Sequence, residues 1–163
     1  MSRLDFMIRR LTAQRVLLQQ VAELIPARSG PIFEVGLGSG RTYDHMRGLF
    51  PDREIFVFDR SVEAPLHCLP DAAHMIVGEI RDTLRLCGPR IREKPVFIHI
   101  DIGTGDPTTD AITSEWLPSR LEPWIEPGTI ILADRPIALE ALTEIPRSAE
   151  APKSTHVLYR VAG

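Results

Sequence analysis

Three glycines stand at alternate positions where an apolar run meets a polar segment. The run reads Ile32-Phe-Glu-Val-Gly-Leu-Gly-Ser-Gly40, with glycines at 36, 38 and 40. Glycine allows the positive backbone dihedrals of a tight turn and lets a ligand approach the backbone closely. A helix predicted to begin near Arg41 would direct its free amide groups at the turn, where a carboxylate or phosphate is stabilised. The pattern therefore predicts a site for a ligand that carries such a group.

The spacing of these glycines distinguishes between cofactor classes. The fingerprint of NAD- and FAD-binding folds has a glycine or alanine at its sixth position, where helix and strand pack closely. Here that position is Arg41, and Tyr43 is not followed by the lysine of a Tyr-x-x-x-Lys pair. Both observations argue against a nicotinamide-dependent oxidoreductase, which is kept only as a less favoured alternative.

Acidic residues end two further apolar runs. Asp59 closes Ile55-Phe-Val-Phe-Asp59, where one carboxylate can accept hydrogen bonds from both hydroxyls of a ribose. Asp101 closes Pro95-Val-Phe-Ile-His-Ile-Asp101. Ligands lie over the carboxyl ends of parallel strands, so Asp101 is expected to face the reacting end of the ligand. His99 is interpreted as an interior histidine with satisfied hydrogen bonds rather than as a base.

These motifs, in this order, resemble those of class I (Rossmann-like) S-adenosylmethionine-dependent methyltransferases. The glycine turn with Glu34 ahead of it is similar to the first motif of that family, and the resemblance extends over residues 31–134. Gly78-Glu79-Ile80 is similar to the segment that lies against the adenine ring in the family. The resemblance implies that S-adenosyl-L-methionine is the cofactor and that the chain is a methyltransferase.

The predicted cofactor contacts combine the glycine turn with the ends of the following strands. They are Glu34, Gly36, Leu37, Gly38, Gly40, Thr42, Asp59, Arg60, Gly78, Glu79, Ile80 and Asp101. Asp101 is also the predicted catalytic residue, as a base or an orienting group. Unranked candidates for the acceptor pocket are Tyr43, His45, His99 and Arg135. No metal site is predicted, because Cys68 and Cys87 lack the paired spacing of zinc ligands.

The methyl acceptor has no diagnostic motif in this chain. Asp101-Ile-Gly-Thr stands where many nucleic-acid amino methyltransferases have an Asn/Asp-Pro-Pro-aromatic segment. A small-molecule acceptor is therefore expected, with protein acceptors left open. A domain that binds S-adenosylmethionine without turnover is the second alternative, because the predicted binding residues are better defined than any acceptor residues.

Size and charge narrow the class of protein further. The chain has 163 residues and a formal net charge of -3, which predicts one domain and gives no basic footprint for nucleic acid. It has no apolar run near the roughly 20 residues that span a bilayer, and no signal-peptide core. We therefore expect no membrane partner and a cytoplasmic location.

Short apolar runs alternate with helical segments from Pro31 onward, which predicts a three-layer α/β/α fold with a doubly wound, mostly parallel sheet. The predicted strands are 32–36, 54–59, 73–77, 95–101, 129–134 and 155–161. The predicted helices between them are 41–50, 62–69, 80–87, 110–124 and 137–142.

The two ends of the chain carry their own predictions. An extra N-terminal helix begins at Ser2 and ends before Pro26. Its apolar stripe is predicted to face the core and contains Leu4, Met7, Ile8, Leu11, Leu18, Val21, Leu24 and Ile25. Its outward side is predicted to contain Arg9, Arg10, Gln14, Arg15 and Gln20. At the other end only one strand follows residue 134, which predicts a shortened sheet edge or a homodimer contact there.

Overall fold

The computed structural model describes residues 2–163 and contains a seven-stranded sheet with helices on both faces. The strands are β1 (Ile32–Val35), β2 (Ile55–Asp59), β3 (Met75–Val77), β4 (Phe97–Ile100), β5 (Ile130–Ala133), β6 (Leu142–Glu144) and β7 (Val157–Val161). The helices are α1 (Arg3–Leu24), α2 (Arg41–Leu49), α3 (Ile80–Leu86) and α4 (Pro107–Leu121), with 3-10 turns at Leu66–Cys68 and Glu122–Trp124.

The strand order is β3-β2-β1-β4-β5-β7-β6. Strands β1 to β5 are parallel to one another, and β7 runs antiparallel to both β5 and β6. This arrangement confirms the predicted doubly wound, mostly parallel α/β sheet. It also brings the carboxyl ends of β1, β2, β4 and β5 to one edge.

The central strands are apolar along their length because both of their faces are covered. Every residue of β1, β4 and β5 is buried. Side chains such as Phe33 and Ile98 pack into the layer with α3 and α4, whereas Ile32 and Phe97 pack into the layer with α1 and α2. Glu34 and His99 are the buried polar exceptions within these three strands.

Helix α1 begins with a capping box formed by Ser2 and Asp5. The Ser2 hydroxyl accepts a hydrogen bond from the Asp5 amide, and the Asp5 carboxylate accepts one from the Ser2 amide, both at 3.0 Å. The helix ends at Leu24, ahead of Pro26 as predicted. From Ala13 onward its inner face is buried against α2 and β5. No helix in residues 2–163 is long and apolar enough to cross a membrane.

The predicted packing of the first two turns of α1 is wrong. Leu4 and Ile8 are 68% and 55% exposed, whereas Gln14, predicted to face outward, is 2% exposed. Arg10 also reaches inward, to Asp101. The apolar stripe does not predict the packing, because residues 3–9 are exposed. Gln14 is buried because it donates a hydrogen bond to Asp101, a contact that no local pattern reveals.

The predicted shortened C-terminal edge is wrong. Residues 142–144 form β6, in which Leu142 pairs with Val161 and Glu144 with Tyr159. The helix predicted at 137–142 is absent from that segment, which is irregular before β6. Ile137 is buried there and its amide donates to the Tyr159 hydroxyl at 3.3 Å. A three-residue edge strand is too short to show an apolar alternation in the sequence.

The helix predicted at 62–69 is also wrong, because only the 3-10 turn Leu66–Cys68 forms there. Pro65 lies in the middle of the predicted segment, where it lacks the amide hydrogen that a helix interior requires. The other predicted strands and helices agree with the structure within three residues at each end.

Candidate functional site

The glycine turn links the end of β1 to the start of α2. Gly36, Gly38 and Gly40 have φ values of 97°, 50° and 74°, which favour glycine at all three positions. A side chain at Gly36 would collide with the backbone of Asp101, and one at Gly40 with the backbone of Cys68. A Cβ at Gly38 would meet nothing within 4 Å. The outer glycines therefore shape the turn, and the middle one leaves open space above it.

Asp59, at the end of β2, is fixed against this turn. Its Oδ2 atom accepts hydrogen bonds from the amides of Leu37 at 2.7 Å and Gly38 at 3.0 Å. Its Oδ1 atom has only a long contact of 3.4 Å to the Ser61 amide. Two amides of the turn are thus directed at this carboxylate, and one carboxylate oxygen stays available for a ligand.

Glu34 lies beneath the turn and is fully buried. It accepts hydrogen bonds from the Thr42 hydroxyl and, at 2.5 Å, from Nδ1 of the equally buried His99. Burial lowers the pKa of His99, but the charge of Glu34 and its hydrogen bond outweigh that effect, so the pKa of His99 is raised. The pair ties β1, β4 and the first turn of α2 together.

Asp101 follows β4 and is held by two side chains of α1. Arg10 donates to it at 2.6 Å and Gln14 at 2.8 Å, and the side chain of Asp101 is 16% exposed. Burial opposes ionisation of Asp101, but the positive charges of His99 and Arg10 outweigh it. With the hydrogen bond from Gln14, these charges lower the pKa of Asp101. Asp101 is therefore an ionised hydrogen-bond acceptor rather than a strong base at neutral pH.

A cavity of about 220 Å³ lies between the glycine turn, Asp101 and α1. Of the residues predicted from the sequence, it brings together Gly36, Leu37, Gly38, Thr42 and Asp101. Asp59 lies against the same turn, whereas Glu34 and Gly40 are buried below it. A cavity of about 480 Å³ beside Gly30 and Arg53 lies at the opposite end of the strands.

The remaining predicted contacts lie along the end of β3 and after β2. Gly78 has a φ of 150° and donates its amide to the carbonyl of Asp59 at 2.9 Å. Beside it, Val77 is 55% exposed, Ile80 is 8% exposed and Glu79 is exposed. Arg60 is also exposed. This edge offers an apolar surface next to polar backbone groups.

The unranked pocket candidates lie in different places. Tyr43 is buried in the layer between α2 and the sheet, and His45 lies beside α1. Arg135 contacts Asp134 at 3.0 Å and the backbone carbonyl of Asp110 at 3.0 Å, so it connects the end of β5 to the first turn of α4. Neither Tyr43 nor Arg135 lines the cavity at the glycine turn.

Sequence reasoning missed Arg10, Gln14 and His156 as members of this polar cluster. His156 is 2% exposed, and burial lowers its pKa to about 4, although the charge of Asp101 opposes that shift. The one available signal was the spacing of Arg10 and Gln14, which are four residues apart and in line with the buried Leu17. Within residues 2–163 no group of three or more metal-ligating side chains occurs.

Comparisons with known proteins place this arrangement in a family. The sequence model of a family described as S-adenosyl-L-methionine methyltransferase matches residues 1–161. The crystal structure of an S-adenosyl-L-methionine methyl transferase from Silicibacter pomeroyi DSS-3 is similar, with 31% identity, a TM-score of 0.90 and coverage of 99% of each chain. No curated protein sequence gives a significant match.

More distant structures share the fold. CalS11, a TDP-rhamnose 3'-O-methyltransferase of calicheamicin biosynthesis, is 15% identical with a TM-score of 0.63, covering 93% of this chain and 80% of its own. Human methyltransferase-like protein 13, in complex with SAH, is 13% identical with a TM-score of 0.62, covering 96% of this chain and 82% of its own.

A doubly wound sheet with a glycine turn and acidic strand ends defines a nucleotide-type cofactor site at the carboxyl edge. With a family match over nearly the whole chain, the chain belongs to the S-adenosyl-L-methionine methyltransferase family. S-adenosyl-L-methionine is its cofactor, and the nicotinamide alternative is the weaker one. The open space above Gly38 and the free oxygen of Asp59 fit this cofactor.

Proposed function

We propose that this methyltransferase acts on a small-molecule acceptor bound at the carboxyl edge, next to Asp101. The observation that carries the proposal is that the cavity assigned to the cofactor at the glycine turn reaches Asp101 beneath α1, so that an acceptor beside Asp101 would lie next to the cofactor. This part of the carboxyl edge is a recess of about 220 Å³ rather than an extended surface, which suits a small molecule better than a macromolecule.

We assign the cofactor contacts from the order of the strand ends. The turn would hold the amino-acid end of the cofactor, Asp59 its ribose and the β3 end its adenine. Glu34 would act from below by fixing Thr42. The proposed contacts are Glu34, Gly36, Leu37, Gly38, Gly40, Thr42, Asp59, Arg60, Gly78, Glu79, Ile80 and Asp101.

When bound, S-adenosyl-L-methionine supplies a methyl group on a positively charged sulfur. The chain must align the acceptor and exclude water, and such positioning is worth about 7 to 11 kcal/mol in favourable cases. Asp101 is kept ionised by Arg10 and His99, so we assign it an orienting role, accepting a hydrogen bond from the acceptor. A base is needed only for an acceptor that must lose a proton.

Three further proposals concern the whole chain. Residues 1–163 form a single S-adenosylmethionine-binding domain, which the two apolar layers on one shared sheet support. Nucleic acid is not the acceptor, in keeping with the net charge of -3. A homodimer is supported by the outward exposure of Leu4 and Ile8 on α1. A cytoplasmic location stays a prediction from the sequence.

The test of the proposed acceptor class is release of S-adenosylhomocysteine from S-adenosylmethionine in the presence of small-molecule, RNA and protein pools. We expect turnover with small molecules and a loss of about 10²-fold or more in Asp101→Asn, because the orienting charge is removed. The exposed Asp52→Asn is the matched control and should retain full turnover. Turnover with the RNA or protein pool alone would contradict the proposal.

A further inference from the structure

Residues 3–9, the first two turns of α1, are exposed. Phe6 and Arg10 lie on the same helix face as Ala13 and Leu17, since residues seven apart are in line along a helix. Ala13 and Leu17 are fully buried, yet Phe6 is 56% exposed. An aromatic ring therefore points inward over an open space at the carboxyl edge.

That space is a second cavity of about 280 Å³. Its walls are the N-terminal part of α1 and the segment before β7, namely Phe6, Arg9, Arg10, Lys153, Ser154 and Thr155. Arg10 also lines the cavity at the glycine turn and contacts Asp101. Arg10 thus lies in the wall of both cavities, and its guanidinium group contacts Asp101, the proposed orienting group.

The ionisable side chains that line the outer cavity are all basic, although the chain as a whole has a net charge of -3. Arg10 is neutralised by Asp101. Within residues 2–163, Arg9 and Lys153 are in no ion pair. A ring together with two cations that are in no ion pair complements a ligand that has an apolar body and a negative charge.

We propose that this outer cavity is the acceptor site, and that the acceptor is a small aromatic or aliphatic molecule with a carboxylate or phosphate group. Phe6 packs against its apolar body, whereas Arg9 and Lys153 bind the anionic group. The inference rests on the proposed function, because an acceptor must lie next to Asp101 and the cofactor.

The test uses protein saturated with S-adenosylhomocysteine, whose own binding is measured first by calorimetry. Benzoate, phenyl phosphate and hexanoate are then titrated in parallel with their neutral counterparts benzamide, phenol and hexanamide, with ligand-observed NMR as the readout. We expect at least one anion to bind about tenfold more tightly than its neutral counterpart, because only the anion gains charge-assisted hydrogen bonds.

Variants locate the site. Arg9→Gln and Lys153→Gln should each weaken the anion about threefold or more while leaving the neutral counterpart unchanged. Phe6→Ala should weaken both members of the pair. The matched controls are Arg92→Gln at the other end of the sheet and Leu4→Ala on the outer face of α1, and neither should alter binding of the anion. Unfolding temperatures identify the variants that remain folded.

Different outcomes contradict the acceptor class, the location of the site and the proposed function. Anions that bind no better than neutral molecules, or that do not bind at the highest soluble concentration, overturn the acceptor class. Two proteins test the location of the site: the double variant Arg9→Gln, Lys153→Gln and the single variant Phe6→Ala. If the anion binds to both as it does to the natural chain, the acceptor site does not lie in the outer cavity. A protein that does not bind S-adenosylhomocysteine fails earlier, at the first titration, and that result contradicts the proposed function instead.

Discussion

Asp59 has two separate tasks in this structure, one for each carboxylate oxygen. Oδ2 fixes the glycine turn through two amides, and Oδ1 is left for a ligand. We expect Asp59→Ala to weaken binding of S-adenosylhomocysteine by about 1 to 3 kcal/mol, because hydrogen bonds to a charged acceptor are lost. Isothermal titration calorimetry measures this change.

The control for that experiment is Asp52→Ala, which removes an exposed carboxylate at the other end of β2. It should bind S-adenosylhomocysteine as the unmodified chain does. An Asp59→Ala protein with unchanged affinity would show that the ribose is held elsewhere.

The burial of His156 is expected to make the stability of the folded chain depend on pH. Its pKa of about 4 in the folded chain lies below the ordinary value of 6.5, chiefly because the imidazole is buried. Between these values the unfolded chain binds a proton that the folded chain does not, so stability falls as pH falls. From about pH 7 to about pH 5 the loss should be about 2 kcal/mol larger in the natural chain than in His156→Gln.

Urea unfolding of both proteins at the two pH values measures that difference. Ionisable groups that are not coupled to His156 titrate equally in both proteins and cancel, so the difference reports His156 together with the groups coupled to it, Asp101 among them. Parallel curves for the two proteins would mean that His156 is hydrated or charged in the folded state.

Single residues were predictable where a local pattern encodes them. The glycine turn, Asp59 and Asp101 follow from a strand end next to a turn, which is visible in the sequence. Arg10 and Gln14 were not predictable, because each contacts Asp101 across more than eighty positions of chain, 91 and 87 respectively. Their partner exists only once α1 has packed on the sheet.

At the scale of elements, α1 is a helix with two parts. Leu17 and Val21 are fully buried, but the first two turns are unsupported apart from the cap and the Arg10 contact. We expect backbone amides of residues 6–9 to exchange with solvent at least about 100-fold faster than those of residues 17–21, because local opening there exposes little apolar surface. Hydrogen exchange followed by NMR measures this directly.

Equal protection along α1 in the isolated chain would contradict the described packing. Protection of residues 6–9 that appears only at higher protein concentration would instead indicate that another chain covers Leu4 and Ile8, as in the proposed homodimer. Measurement at several protein concentrations separates these two explanations, since only association depends on concentration.

Strands and helices were predictable where a clear pattern of apolar residues marks them in the sequence. The parallel strands are continuous apolar runs because helices cover both faces of the sheet, so all five were found. Strand β6 was missed because its residues are exposed or half-buried and its pairing with β7 supplies the information. A helix was predicted at 62–69, where only the 3-10 turn Leu66–Cys68 forms, because the apolar residues there were given more weight than Pro65.

For the whole molecule, topology explains why distant residues form one site. The sheet order places β1 between β2 and β4, so the ends of these strands meet at the point where the chain changes direction across the sheet. For that reason the glycine turn, Asp59 and Asp101 reach the same edge of the sheet. The helix α1 then covers this edge, and its overhang leaves room for an acceptor.

We propose that S-adenosylmethionine binds over Gly38. The most direct test of this proposal is calorimetric titration of S-adenosylhomocysteine and NAD into the natural chain, Gly38→Val and Gly128→Val. Gly128 is the matched control because it also has a positive φ, 88°, and open space around a Cβ, but lies at the far end of β5.

We predict that S-adenosylhomocysteine binds the natural chain and Gly128→Val, that NAD binds neither, and that Gly38→Val has lost binding while its circular dichroism stays native. Normal binding by Gly38→Val, or binding of NAD in place of S-adenosylhomocysteine, would contradict the assignment of the glycine turn.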